Sequence, residues 1–266
     1  MTNKTFVIAE VGSNWKSKQD CLDSVRYAKQ TGADAVKFQL YTHMDMYGTP
    51  GEMAGELPWD WLDDVAYLCA DDGIELMVTP FSVEAARFID PLVSRHKVAS
   101  SDLENRPLLD FLAGTDKPLY LSTGGHTIQE VIDIAKDYFQ ADLTLLYCES
   151  AYPATRHHLG RMDALKKIGR PVGLSDHSLD VFWTPVSAVR YFSSTVIEKH
   201  YNPFGYDDTP DARHALTTPD FTQMVAAIRD PEHYGLELYD KAEKDMRTHH
   251  NRRDTELGYY RVKPTT

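Results

Sequence analysis

Short apolar runs recur along the chain, separated by polar stretches that carry helix caps. Phe6-Val7-Ile8-Ala9, Ala35-Val36-Lys37-Phe38, Leu76-Met77-Val78, Lys97-Val98-Ala99, Leu119-Tyr120-Leu121, Leu143 to Tyr147, Val172-Gly173-Leu174 and Thr195-Val196-Ile197 each read as a strand buried on both faces. Between them the apolar spacing changes to that of helices. Ser17-Lys18-Gln19-Asp20 opens one helix, which turns Leu22, Val25 and Ala28 to the core and closes at Gly32. Thr127-Ile128-Gln129-Glu130 is a capping box ahead of Val131, Ile132 and Ala135. Thr218-Pro219 places a cap and a first-turn proline before Phe221, Met224, Val225 and Ile228.

About eight strands alternating with helices predict a parallel sheet, and that number favours a single-domain (β/α)8 TIM barrel over an open, doubly wound sheet. The open alternative would favour a three-glycine fingerprint after the first strand, where this chain has Gly12-Ser13-Asn14. The barrel is expected to span residues 1–244, with 245–266 a charged tail or truncated linker. Tyr41 to Pro58 is the longest irregular stretch and reads as a lid or substrate loop.

The length of 266 residues suits one barrel. With 28 Lys and Arg against 40 Asp and Glu, the net charge of −12 argues against nucleic acid and anionic membrane as partners. Only His249 to Arg253 is locally basic. Cys21, Cys69 and Cys148 are odd in number and unpatterned, which points to a reducing cytoplasm and away from a disulfide framework or zinc knuckle. No secretion signal is visible, and no apolar run reaches the roughly 20 residues needed to span a bilayer.

Barrel chemistry collects where strands run into the following loops. There the sequence places Glu10, Lys37, Gln39, Thr79, Ser100, Asp102, Ser122, Glu149, Ser150, Ser175, His177, Glu198 and His200. Alternation along the second strand turns Lys37 and Gln39 into the barrel, with Val36 and Phe38 packed on the helices. A buried ammonium needs a carboxylate or a bound anion. Lys37 therefore either forms an internal salt bridge with Glu10 or Glu198, or offsets a phosphate held by Thr79, Ser100, Ser122, Ser150 and Ser175. Any one of those hydroxyls also reads as a strand terminator or cap. His177 and His200 end neighbouring strands, so they are either structural or share a metal ion with open positions suited to Lewis-acid work. His157-His158 reads as a solvated pair in a loop.

Several segments together resemble the N-acetylneuraminate (sialic acid) synthase family and its relatives acting on legionaminic, pseudaminic and other nonulosonic acids. They are Ile8 to Asn14, Gly32 to Gln39, Thr79-Pro80-Phe81, Lys97 to Ser100, Lys117 to Gly124, Cys148 to Pro153, Gly173 to His177 and Val196 to His200, in family order over roughly residues 5 to 230. The resemblance implies condensation of phosphoenolpyruvate with an N-acetylmannosamine-like sugar aldehyde, with release of phosphate. It implies His177 and His200 as ligands of manganese or magnesium, and Lys37, Thr79, Ser100, Ser122, Ser150 and Ser175 as the phosphoenolpyruvate pocket. Glu10 and Asp102 match acidic residues beside the reacting carbons, and Gln39, Tyr152 and Asp211 match residues around the sugar.

The chain departs from the family at Asn14-Trp15-Lys16, where a histidine usually stands, and at Thr209-Pro210-Asp211, where the turn differs. The first departure is expected to alter the acceptor or weaken activity. Family members continue into an antifreeze-like domain that, in a swapped dimer, gives an arginine to the partner's site. This chain reaches Thr266 about where that linker begins, so either Arg213 or a tail residue is expected to replace the contact or the substrate does not need it; a homodimer is expected. Two other readings stay open: a synthase acting on a phosphorylated sugar, and a non-catalytic barrel that binds sugar or phosphate.

Overall fold

The computed structural model describes residues 4–232; the 244/245 boundary, the tail and the basic segment His249–Arg253 lie outside them. All eight apolar runs form strands: β1 (Phe6–Gly12), β2 (Ala35–Leu40), β3 (Glu75–Pro80), β4 (His96–Val98), β5 (Leu119–Ser122), β6 (Leu143–Tyr147), β7 (Val172–Asp176) and β8 (Val196–His200). Their ladder is parallel throughout, in the order β3-β2-β1-β8-β7-β6-β5-β4. Its two ends, β3 and β4, lie side by side, so the sheet is a nearly closed barrel.

Helices fill the crossovers: α1 (Lys18–Gln30), α2 (His43–Tyr47), α3 (Trp61–Asp72), α4 (Val83–Ile89), α5 (Arg106–Ala113), α6 (Ile128–Asp137), α7 (Arg161–Lys166), α8 (Trp183–Arg190) and α9 (Thr218–Arg229). The caps follow the sequence closely. Ser17 caps α1, and Thr127 with Glu130 forms the full capping box of α6. At α9 the cap is Thr217, one residue before the expected one. On α6 it is Ile134, not Ile132, that joins Val131 and Ala135 in the core; on α1, Cys21 is fully buried and Leu22 only partly. The stretch 41–58 is not wholly irregular, because Thr42 and Asp45 cap the short helix α2. Among the described residues no helix is long and apolar enough to cross a membrane.

Period-two alternation divides every strand between two environments. Outward residues such as Val36 and Phe38 join the main core between strands and helices. Inward residues form a separate apolar layer of Ile8, Ala35, Met77, Tyr120, Leu146 and Val196. One step further along the strands the inward positions turn polar: Glu10, Lys37, Thr79, Lys97, Ser122, Ser175 and Glu198 are all buried. The apolar layer is thus the floor on which a charged layer rests.

Candidate active site

Above that floor, at the C-terminal ends of the strands, opens a cavity of about 1130 Å³. Glu10, Lys37, Gln39, Thr79, Ser100, Ser122, Ser150, Tyr152, Ser175, His177, His200 and Asp211 all line it. Asp102 does not. It lies in a 3-10 helix, Ser100–Asp102, where its carboxylate accepts hydrogen bonds from Ser101 Oγ at 2.9 Å and Asn105 Nδ2 at 3.0 Å. The turn points it into local capping, while its neighbour Glu104 reaches the cavity wall.

Lys37 settles into an internal ion pair. Its Nζ lies 2.5 Å from Glu10 Oε2 and 3.8 Å from Glu198 Oε2, and it donates to Thr79 Oγ1 at 2.9 Å. A second buried ammonium, Lys97, lies 3.2 Å from Glu198 Oε1. Gln39 Nε2 donates to Glu10 Oε1 at 3.0 Å, and Ser175 Oγ to Glu198 Oε1 at 2.9 Å. Ser122 Oγ is buried without a hydrogen-bond partner.

Burial raises the pKa of Glu10, with the nearby charge of Glu198 adding to the rise and Lys37 only partly offsetting it. For Glu198 burial also works against ionisation, but Lys37 and Lys97 outweigh it and its pKa falls. Burial lowers the pKa of Lys97, whereas the two carboxylates more than compensate it at Lys37, whose pKa rises. The result is two cations and two acids in one water-poor layer, beneath a wall of hydroxyls.

The imidazoles gather at the ends of β7 and β8 and in the loop that follows β8. His177 Nδ1 pairs with the Glu149 main-chain carbonyl at 2.7 Å, an arrangement that leaves Nε2 as the acceptor nitrogen when Nδ1 carries the proton. Tyr152 stacks on the His177 ring with centroids 4.3 Å apart. The His177 and His200 rings are 5.5 Å apart, and a third ring, His214, lies 4.3 Å from His200. His200, Asp211 and His214 offer ligand atoms that all lie within 4.8 Å of one another. Asp211 is held in place by the Ser13 N–H, which donates to Oδ2 at 2.7 Å.

Burial lowers the His177 pKa to about 4 and that of His200 well below its ordinary value, which keeps both rings in the neutral form that donates a lone pair. His200 Nδ1 and His214 Nε2 are buried without hydrogen-bond partners. Unpartnered imidazole nitrogens beside a fixed carboxylate fit a divalent cation.

Sequence reasoning missed Lys97 and His214 as site residues. Alternation opposite the buried Val98 carries the signal for Lys97. His214 lies in the 3-10 helix Ala212–His214 and has only its spacing of three from Asp211 to mark it.

Other expectations change. His157 is buried, 3.4 Å from Asp176, so it is not solvated, whereas His158 is partly exposed with its Nδ1 3.1 Å from Glu149 Oε1. Asn14 is buried, donating to Tyr201 O and accepting from Thr209 Oγ1, and Trp15 packs edge-on against Trp61 with ring centroids 5.5 Å apart. Neither residue lines the cavity, so this sequence departure bears first on packing. Met46 and Tyr47 of α2 and Arg213 do reach the cavity wall.

Residues 24–235 match the NeuB family. The chain is 30% identical to pseudaminic acid synthase of Campylobacter jejuni, over 86% of this chain and 74% of that one. It is 33% identical to N,N'-diacetyllegionaminic acid synthase of Legionella pneumophila, over 85% and 72% of the two chains. Among solved structures, N-acetylneuraminic acid (sialic acid) synthetase of Leptospira borgpetersenii, in complex with citrate, superposes with a TM-score of 0.78 at 25% identity, covering 91% of this chain and 92% of that one. The spore coat polysaccharide biosynthesis protein spsE of Bacillus subtilis gives a TM-score of 0.80 at 25% identity, covering 95% and 75%.

Proposed function

The chain belongs to the NeuB family, and from that premise we propose that it condenses phosphoenolpyruvate with the open-chain aldehyde of an unphosphorylated, N-acetylmannosamine-like 2-acetamido sugar, giving a nonulosonic acid and phosphate. The observation that carries this reading is the layer of Lys37 and Lys97 beneath a hydroxyl wall, facing the same cavity as His177, His200 and Asp211. Lys37 and Lys97 offset the charge of the phosphoenolpyruvate anion, while Thr79, Ser100, Ser122, Ser150 and Ser175 donate to its oxygens. Ser122 Oγ, buried and without a protein partner, is a donor waiting for such a ligand.

The methylene carbon of phosphoenolpyruvate forms the new bond to the aldehyde carbon. Positive charge then develops on the carbon bearing the phosphate ester. In this reading Glu10, which lines the cavity, stabilises the charge and orients the water that adds there. The tetrahedral product of water addition expels phosphate with its ester oxygen, which balances the reaction. Gln39, bonded to Glu10, and Tyr152 with Asp211 bound the sugar side of the cavity.

His177 and His200 would hold a manganese or magnesium ion, which supplies Lewis-acid polarisation of the aldehyde oxygen when bound. The wall of the cavity favours an acceptor without phosphate: Glu104, Glu130, Asp207 and Asp208 stand there with Arg213, and Lys16 nearby is paired to Asp208 at 2.7 Å.

Phosphate release from phosphoenolpyruvate, measured with manganese and a panel of 2-acetamido sugars with and without a phosphate, tests the proposal. Release that depends on an unphosphorylated sugar is expected. Dependence on a phosphorylated sugar, or saturable binding without turnover, overturns it.

A further inference from the structure

The segment that leaves β8 brings a third imidazole to the metal-facing side of the cavity, and it does so at close range. His200 ends β8, Asp211 follows in the loop, and His214 closes the 3-10 turn after it. The ligand atoms of these three lie within 4.8 Å of one another. An ion about 2.1 Å from each of three donors keeps those donors roughly 3–4 Å apart, so sub-ångström side-chain shifts complete the set.

Three further observations single out His214. It is buried, and its Nε2, 3.4 Å from Asp211 Oδ1, makes no hydrogen bond. A buried polar atom left in that state costs stability unless something else satisfies it. The Asp211 carboxylate is anchored by its other oxygen, Oδ2, to the Ser13 N–H. His177 is the more distant ring, 5.5 Å from His200 and 6.5 Å from His214, and Tyr152 covers one of its faces.

We infer that His214 is a ligand of the divalent ion in this protein, so that the single segment from His200 to His214 supplies three donors, His200, Asp211 and His214. This rests on the metal-dependent reading proposed above and adds Asp211 and His214 to the pair His177 and His200. Two imidazoles and a carboxylate form a mixed nitrogen and oxygen set that suits manganese. The third donor comes from a turn absent from the barrel's repeating plan, so the ion ties that turn to the strand ends.

The test is a titration of Mn²⁺ into metal-free protein without substrate, followed by the electron paramagnetic resonance signal of free Mn²⁺, for the wild type, His214→Gln and His200→Gln. Weakening by more than about tenfold in His214→Gln, comparable to His200→Gln, is expected. Pulsed resonance on bound Mn²⁺ should also show one fewer coordinated imidazole nitrogen in His214→Gln. Affinity within about twofold of wild type, or an unchanged nitrogen count, overturns the inference.

Should His214→Gln not fold, His214→Cys decides, because it keeps a donor: it is expected to bind Cd²⁺ more tightly than Mn²⁺ by a wider margin than the wild type does. An unchanged margin overturns the assignment, as does a wild type that binds no Mn²⁺. Phosphate release is read separately, so loss of the reaction and loss of the ligand are told apart.

Discussion

Asp176 and Lys199 form an ion pair 2.7 Å long in which neither side chain is exposed to solvent. The two are register partners on β7 and β8, and each immediately precedes a cavity histidine, His177 or His200. Lys199 Nζ also donates to Ser178 Oγ at 3.1 Å and Asp180 O at 3.0 Å, and Asp180 in turn caps the start of α8 by accepting from the Phe182, Trp183 and Thr184 amides. One ammonium thus ties two strand ends to the following helix. Removing one charge strands the other in a dry interior, so Lys199→Met is expected to lose about 3–5 kcal/mol of stability. Asp176→Leu combined with Lys199→Met should recover much of that loss. Urea denaturation of the single and double variants measures both, and strictly additive losses would contradict the pairing.

Glu75 and Arg95 hold the one seam of the barrel where its ladder begins and ends. Glu75 opens β3, and Arg95 directly precedes β4. The guanidinium meets the carboxylate through two nitrogens, at 2.5 and 3.0 Å, also donates to Tyr120 Oη at 2.5 Å, and lies 4.4 Å from the Phe6 ring centroid. A forked, partly buried pair with an aromatic neighbour contributes more than an exposed one. Arg95→Ala is expected to cost about 1–3 kcal/mol and to lower amide-exchange protection selectively at β3 and β4. Uniform loss of protection around all eight strands would show that the seam is not held there.

Gly12 leaves room for Asp211. Its φ is +56°, and a Cβ at that position would lie 2.2 Å from Asp211 Oδ2. Gly12→Ala therefore strains the backbone by about 1 kcal/mol and pushes the carboxylate aside. The variant should fold and show a KM for the sugar raised by about tenfold, equivalent to about 1.4 kcal/mol, with the KM for phosphoenolpyruvate little changed. Steady-state kinetics with each substrate varied in turn reads the difference; a rise confined to phosphoenolpyruvate contradicts it.

Most of this architecture follows from two rules that sequence obeys directly. Strand alternation set Glu10, Lys37, Gln39 and Ser175 facing inward, because a residue two positions along a strand must share its neighbour's face. The same rule reaches Lys97, which an apolar setting in Lys97-Val98-Ala99 disguises. It does not reach Asp102 or His214. Both lie on 3-10 turns, where direction depends on the path of a loop: the turn at Ser100–Asp102 folds Asp102 back on Asn105, and the turn at Ala212–His214 carries His214 toward His200. Helix faces fail in a similar way over short distances, as when Ile134 takes the core position read for Ile132.

Asp34 binds the beginning of the described chain to its last helix. Lys4 Nζ lies 2.6 Å from Oδ1, and Oδ2 accepts from Val7 N at 2.9 Å and Arg229 Nη2 at 2.6 Å. Arg229 also donates to Thr5 O and Gly32 O, so β1, α1's exit and α9 meet at one carboxylate. Partial burial opposes ionisation of Asp34, but the donors from Lys4, Arg229 and Val7 outweigh it and hold its pKa below the ordinary carboxylate range. A carboxyl group with a depressed folded-state pKa stabilises the protein fully above its unfolded pKa, and that contribution is lost as pH falls through the folded value. Stability should therefore decline with acid between the two values, and Asp34→Asn should remove this part of the slope while lowering stability at neutral pH. Thermal unfolding of both proteins from pH 3 to 7 measures the difference between their curves. A constant difference across that range would mean that the charge of Asp34 contributes nothing to holding the two ends together.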